Sequence, residues 1–183
     1  FQRYERGVPV TDVIPQGDAE GHGTTVRFRP DEEIFETNQF IHETLQKRFR
    51  ELAYLNSGLT IEFTDERTGQ TDSFCFDGGI KEFVADLNEG ETAIHHMLYG
   101  YGEQDGVIVE FALQYNANYK ENVLTFANNI RTKEGGTHLV GFKTAFTRAI
   151  NTYIKTADLP KKLKETVTGE DVREGQTAVI SVK

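Results

Sequence analysis

An α+β fold with antiparallel strand pairs is what the sequence predicts. Two segments, residues 38–56 and 137–156, carry an apolar face at helical spacing. A third, Val107–Tyr115, alternates, sending Val107, Val109, Phe111, Leu113 and Tyr115 to one side. Short polar links at 65–69 and 116–121 join strand-like runs that are expected to fold back on themselves. With 183 residues the chain suits one ordinary domain or two small units.

Residues 1–22 are polar and rich in Gly and Pro and read as loop. Thr24–Phe28 alternates as a short strand closed by Pro30. The first helix, Asn38–Asn56, aligns Ile41, Leu45, Phe49 and Leu52 on one face. Thr37 or Asn38 suits its cap, Gly58 its left-handed end, and Lys47, Arg48 and Arg50 complement its dipole. Leu59–Thr64 and Thr71–Phe76 form a hairpin. Gly78-Gly79 marks a unit boundary and opens a short helix with Ile80, Phe83, Val84 and Leu87 on one side. Asn122–Ala127 is expected to pair with Val107–Tyr115. The second long helix, Thr137–Thr156, is expected to be buried along Leu139, Phe142, Phe146, Ala149, Ile150 and Tyr153. A basic helix at 160–166, a charged loop at 169–175 and a strand at 177–182 complete the reading.

Thirteen phenylalanines, seven tyrosines and 27% charged residues describe a folding chain, not a disordered one. No run approaches a membrane helix. The single Cys75, between Phe74 and Phe76, excludes an internal disulfide and a multi-cysteine zinc site, which makes a reducing, cytoplasmic setting the expectation. A net charge of −9 argues against a free-standing nucleic-acid binder. Residues 137–164 reverse that sign: six basic side chains against Asp158 give +5 there and leave −14 elsewhere. Lys143 and Arg148 in this stretch read either as a solvated helix face or as non-specific phosphate contacts. The chain opens on Phe1 and stops at Lys183 after a strand-like run, so a piece of a larger protein is expected.

Gly135-Gly136-Thr137-His138 reads as a sharp turn into a helix capped by Thr137; backbone amides open to an anion are the alternative. The five histidines are scattered or adjacent and lack metal-ligand spacing. Paired carboxylates at Asp31-Glu32-Glu33, Asp65-Glu66 and Glu170-Asp171 sit in polar loops. Phosphate-loop, nucleophile-elbow and dinucleotide fingerprints do not occur. The residues alone describe an α+β module without a complete active site.

Six ordered motifs resemble bacterial type IIA DNA topoisomerase B subunits, with the gyrase branch expected ahead of topoisomerase IV. They are Gly23–Asp31 with Phe35, Arg48–Asn56 with Gly58, Asp77–Val84 with Leu87-Asn88, Phe126–Ile130, Glu134–Phe142, and Gly169–Gly175 with Ala178–Lys183. The resemblance implies that residues 1–77 end a Bergerat-type (GHKL) ATPase sandwich. Residues 78–183 are then most of a β-α-β transducer domain similar to a ribosomal-protein fold. It implies a parent that couples ATP binding and hydrolysis, with Mg²⁺, to DNA strand passage and supercoiling beside a topoisomerase A subunit in an A2B2 assembly. Thr24 matches a threonine that helps bind adenine, Val26 a residue lining the adenine pocket, and Lys143 a basic position facing the DNA cavity. Lysine there keeps the charge while losing arginine's bidentate geometry. The family's catalytic Glu, Mg²⁺-holding Asn and phosphate-reaching Gln-Thr-Lys have no match in this chain. The segment alone is therefore expected to be monomeric and inactive. A stand-alone, non-catalytic transducer-like binding module is the alternative.

Overall fold

The computed structural model describes residues 1–160, 162 and 164–183, which divide into two compact units, 1–41 and 42–183. In the first unit, β1 (Tyr4–Glu5) and β2 (Val8–Pro9) form a small antiparallel hairpin in place of the expected loop. Arg6 and Gly7 supply two left-handed residues between them, which suits a two-residue hairpin turn. The strand expected at Thr24–Phe28 does not form; no strand among the described residues lies beside it to complete a ladder. No residue of this unit is buried, and Phe1, Val13, Val26, Phe28 and Ile34 are all more than two-thirds exposed.

The second unit opens with α1 (His42–Leu55), which starts four residues later than expected. Thr37 Oγ1 accepts from the Gln39 amide at 3.1 Å, so the predicted cap residue holds a local turn instead. Gly58 takes the left-handed conformation expected of it. The antiparallel hairpin β3 (Ile61–Asp65) and β4 (Gln70–Phe74) follows, then α2 (Ile80–Leu87). Glu82 Oε1 accepts from the Gly78 amide at 2.9 Å and closes the start of α2.

His42 fastens α1 to the hairpin, with Nε2 2.9 Å from Asp72 Oδ2 and Nδ1 3.7 Å from Asp65 Oδ2. Arg67 grips Asp65 through Nε at 2.9 Å and Nη2 at 2.6 Å, and this holds the carboxyl well below the usual carboxylate range. A carboxylate so depressed adds stability above its ordinary pKa and loses it as pH falls through its own lower value. The gap in melting temperature between the wild type and Asp65→Asn is therefore expected to be widest near about pH 7 and to narrow below about pH 4. A gap constant with pH would show that the carboxylate's charge contributes nothing.

Five strands make the main sheet: β5 (Leu98–Gln104), β6 (Val107–Tyr115), β7 (Asn122–Ala127), β8 (Ile130–Arg131) and β9 (Gln176–Val182). Their order is β5-β6-β9-β7-β8. This corrects the expected pairing of β6 with β7. The last strand inserts between them, antiparallel to β6 and parallel to β7. Ala178, Val179, Ile180 and Ser181 are buried on both faces, as a central strand requires. Two-residue turns, Asp105-Gly106 and Asn128-Asn129, join β5 to β6 and β7 to β8 with both residues at positive φ.

One face of the sheet carries the core, where Tyr54, Ile80, Phe83 and Val84 of α1 and α2 meet Ala112, Leu124, Phe126 and Val179. The other face meets α3 (Thr137–Thr156), with the Phe111 and Phe142 rings 5.3 Å apart. The burial expected along α3 is incomplete. Leu139, Phe142, Phe146 and Ile150 are half-buried, Ala149 and Tyr153 are exposed, and no residue of the helix is fully covered. Its N-cap is Gly136 rather than Thr137, without a side-chain capping bond.

The charged loop expected at 169–175 contains α4 (Gly169–Arg173), closed by a reciprocal capping box between Thr168 and Asp171. The basic helix expected at 160–166 falls partly on Lys161 and Leu163, outside the described residues. Among the described residues no helix is long and apolar enough to cross a membrane.

Candidate functional site

Thr24 and Val26 lie in the first unit on an irregular, exposed stretch, and Val26 is 78% exposed. Val26 lines an open groove of about 1700 Å³ together with Thr25, Phe28, Phe35 and Phe40. A small-molecule site encloses most of its ligand between apolar walls and a few fixed polar groups. The groove is open to solvent, and Thr24 is not among the residues that line it. Among the described residues no cluster of three or more His, Cys, Asp or Glu is placed to hold a metal. The described residues of this stretch do not fit a Mg²⁺-ATP centre.

Lys143 lies on α3, where its Nζ is 2.7 Å from Glu121 Oε1; the two side chains are about one-third exposed. Glu121 Oε2 also accepts from Arg173 Nε of α4 at 3.2 Å. Arg148, Lys155, Lys162 and Lys164 are exposed. At about 100° per residue, Arg148 and Lys155 share a helix face while Lys143 lies about 140° away from Arg148. On α3 the basic stretch is thus a paired cation, Lys143, on one side and the exposed Arg148 and Lys155 on another. Sequence counting misses Arg173 and Glu121, which lie outside that stretch and meet Lys143 only through the fold.

The end of α1 is locked to the main sheet. Arg48 Nη2 donates to the Asn129 carbonyl at 2.6 Å, and Asn129 Nδ2 donates to Asn56 Oδ1 at 3.1 Å. Lys183 Nζ donates to the Leu55 carbonyl at 3.3 Å. Tyr54 stacks between Phe76 and Phe83, with centroid distances of 3.7 and 4.7 Å. Arg48 reads from sequence as a dipole complement. Besides Glu51 on its own helix at 3.3 Å, it meets a carbonyl in the left-handed Asn128-Asn129 turn, a dipeptide that itself signals such a turn.

Three of the five histidines, His42, His95 and His138, make structural contacts. His95 Nε2 accepts from the Tyr115 amide at 2.9 Å, and His138 Nε2 lies 3.1 Å from Thr132 Oγ1. The His138 ring covers Gly136, where a Cβ would stand 2.8 Å from Cε1.

Residues 79–183, from α2 through the whole five-stranded sheet, match the sequence profile of DNA gyrase B. The chain belongs to the DNA gyrase B family. Over its whole length it is 49% identical to the DNA gyrase B protein of Clostridium acetobutylicum and covers 29% of that protein. The chain spans less than a third of the length of such curated relatives. Its fold aligns with the 43K ATPase domain of Thermus thermophilus gyrase B, solved with an aminocoumarin, at a TM-score of 0.73 and 40% identity. That match covers 84% of this chain and 42% of the other. Myxococcus xanthus gyrase B aligns over 99% of this chain and 52% of its own, with a TM-score of 0.75 and 26% identity. The α+β class expected from the sequence is the class found, and the gyrase B likeness runs through both units.

Proposed function

We propose that the chain is the segment of a gyrase B protein that couples ATP binding and hydrolysis to DNA strand passage and supercoiling. The observation carrying this reading is the lock between α1 and the sheet through Arg48, Asn129, Asn56 and Lys183, in a chain of this family. A helix fixed at several points to a sheet moves with it as a rigid body, so a displacement at one is delivered to the other. Residues 1–77 are read as the end of the ATPase domain and 78–183 as transducer. A family match beginning at residue 79 supports that functional boundary. In space α1 and the β3–β4 hairpin pack with the sheet in one unit.

In this reading Thr24 and Val26 form the adenine side of the ATP site, and Lys143 faces DNA. ATP and Mg²⁺ are cofactors of the complete protein, which supplies the catalytic groups, works with a topoisomerase A partner in an A2B2 assembly and resides in the cytoplasm. The isolated segment is monomeric and does not turn over ATP.

The test uses the complete gyrase B protein in assembly with its A partner. Lys143→Glu is expected to lower DNA-stimulated ATP hydrolysis about tenfold, the size of losing one charged contact. Thr24→Ala should raise the ATP concentration for half-maximal rate about threefold, as loss of one neutral hydrogen bond does. Arg48→Ala should reduce the supercoils introduced per ATP consumed. Wild-type supercoiling per ATP in Arg48→Ala would remove the coupling role from this lock.

A further inference from the structure

Glu121 ends the connection between β6 and β7 and is gripped by cations from two other elements. Oε1 takes Lys143 from α3 at 2.7 Å and Oε2 takes Arg173 from α4 at 3.2 Å. The backbone makes room for both. Arg173 lies over Gly169, where a Cβ would stand 2.8 Å from its Nη1, so the missing side chain leaves space for the guanidinium. Lys143 is on the same side of α3 as Thr147, whose Oγ1 lies 3.5 Å from that same position. Of the neighbouring acids on α4, Asp171 is occupied in the capping box and Glu170 is exposed. The group's net charge is +1, and its carboxylate occupies the place where two positive side chains converge.

We propose that Lys143 and Arg173 form one subsite for a DNA backbone phosphate and that Glu121 fills it as an internal stand-in until DNA arrives. The inference rests on the DNA-facing reading of Lys143 and adds to it a second cation and a competitor. A carboxylate and a phosphate offer the same paired oxygens to a lysine and an arginine. Both ion pairs are partly open to water, where such pairs are weak and exchange readily. Displacing Glu121 into solvent trades one anion for another and releases condensed counterions from the duplex. Two functions follow. The cations are held in position without DNA, and the segment resists binding polyanions indiscriminately, in keeping with its net acidity.

The experiment uses fluorescence anisotropy to measure binding of a fluorescein-labelled, random-sequence DNA duplex to the complete gyrase B protein across a salt series. Glu121→Gln is expected to bind about fivefold tighter at low salt, with a logarithmic salt slope steeper by about one to two phosphate contacts. Adding Lys143→Ala or Arg173→Ala to Glu121→Gln should cancel the gain. If Lys143→Glu weakens binding while Glu121→Gln leaves affinity and slope unchanged, the stand-in role is wrong and the DNA-facing reading stands. If neither variant alters binding, the DNA-facing reading fails and takes this one with it. A measurement on the unmutated protein covers the case where Glu121→Gln disturbs folding. The Glu121 carboxyl carbon resonance should shift as duplex is added, and a resonance that stays fixed at saturation overturns the proposal.

Discussion

Phe126→Ala is expected to cost about 3–5 kcal/mol, a large share of the roughly 5–15 kcal/mol that holds a domain together. Phe126 is fully buried and lies beside Ser181 of the central strand in parallel register. Its ring is 6.1 Å from that of Phe83, which in turn stacks on Tyr54. Removing the ring opens a hole at the point where α1, α2 and the sheet meet. The walls are aromatic rings stacked on one another and strands held by ladder bonds, so little can collapse into the space. Urea unfolding followed by circular dichroism should show the midpoint falling with an unchanged slope. A loss below about 1 kcal/mol would mean that the walls do relax, and that this junction is softer than its packing indicates.

Gly175→Ala is expected to rank second, at about 3 kcal/mol, from backbone strain and collision together. Gly175 has φ +72°, and a Cβ there would stand 2.6 Å from the Asn118 carbonyl oxygen and 2.7 Å from that of Asn116. Both are backbone atoms of the β6–β7 connection, and the Asn116 amide donates to the Gly175 carbonyl at 2.8 Å. The chain therefore enters the central strand through a gap that admits a hydrogen atom and no methyl group. Gly106 gives the control: its φ is +77°, yet a Cβ there meets nothing within 4 Å. Gly106→Ala should cost only the conformational strain of about 1 kcal/mol. Melting temperatures that fall equally for the two variants would show that collision adds nothing at Gly175.

Local structure is legible where a single segment carries its own signal. The face of α2 and the alternation of β6 are properties of neighbours in sequence and appear where periodicity puts them. Ile41, by contrast, falls outside α1, which buries Ala53, Tyr54 and Leu55 instead, and α3 leaves Ala149 and Tyr153 exposed. Strand β5 escapes such a reading because Gly100 and Gly102 deprive it of β-forming side chains; the Phe111 ring of the next strand fills the place where a Cβ of residue 100 would lie. The Asp105-Gly106 turn is the readable clue. The place of β9 is not readable, since periodicity gives which face a residue occupies and says nothing of which strand lies alongside. For the candidate site, sequence resemblance names Thr24, Val26 and Lys143, while Glu121 and Arg173 need the fold. They are 52 residues apart, and only the packing of α3 and α4 brings them to one another.

The insertion of β9 has a consequence for how this protein is made. Until the ribosome has produced residues 176–182, the nascent sheet consists of two separate hairpins, β5–β6 and β7–β8, with a slot the width of one strand between them. Both walls of that slot are unsatisfied strand edges rich in apolar side chains, open to pairing with other chains. Closing it joins residues more than fifty positions apart on each side, a slow kind of contact to form. The interval between synthesis of β7 and arrival of β9 is therefore a period in which this segment is exposed to misassembly.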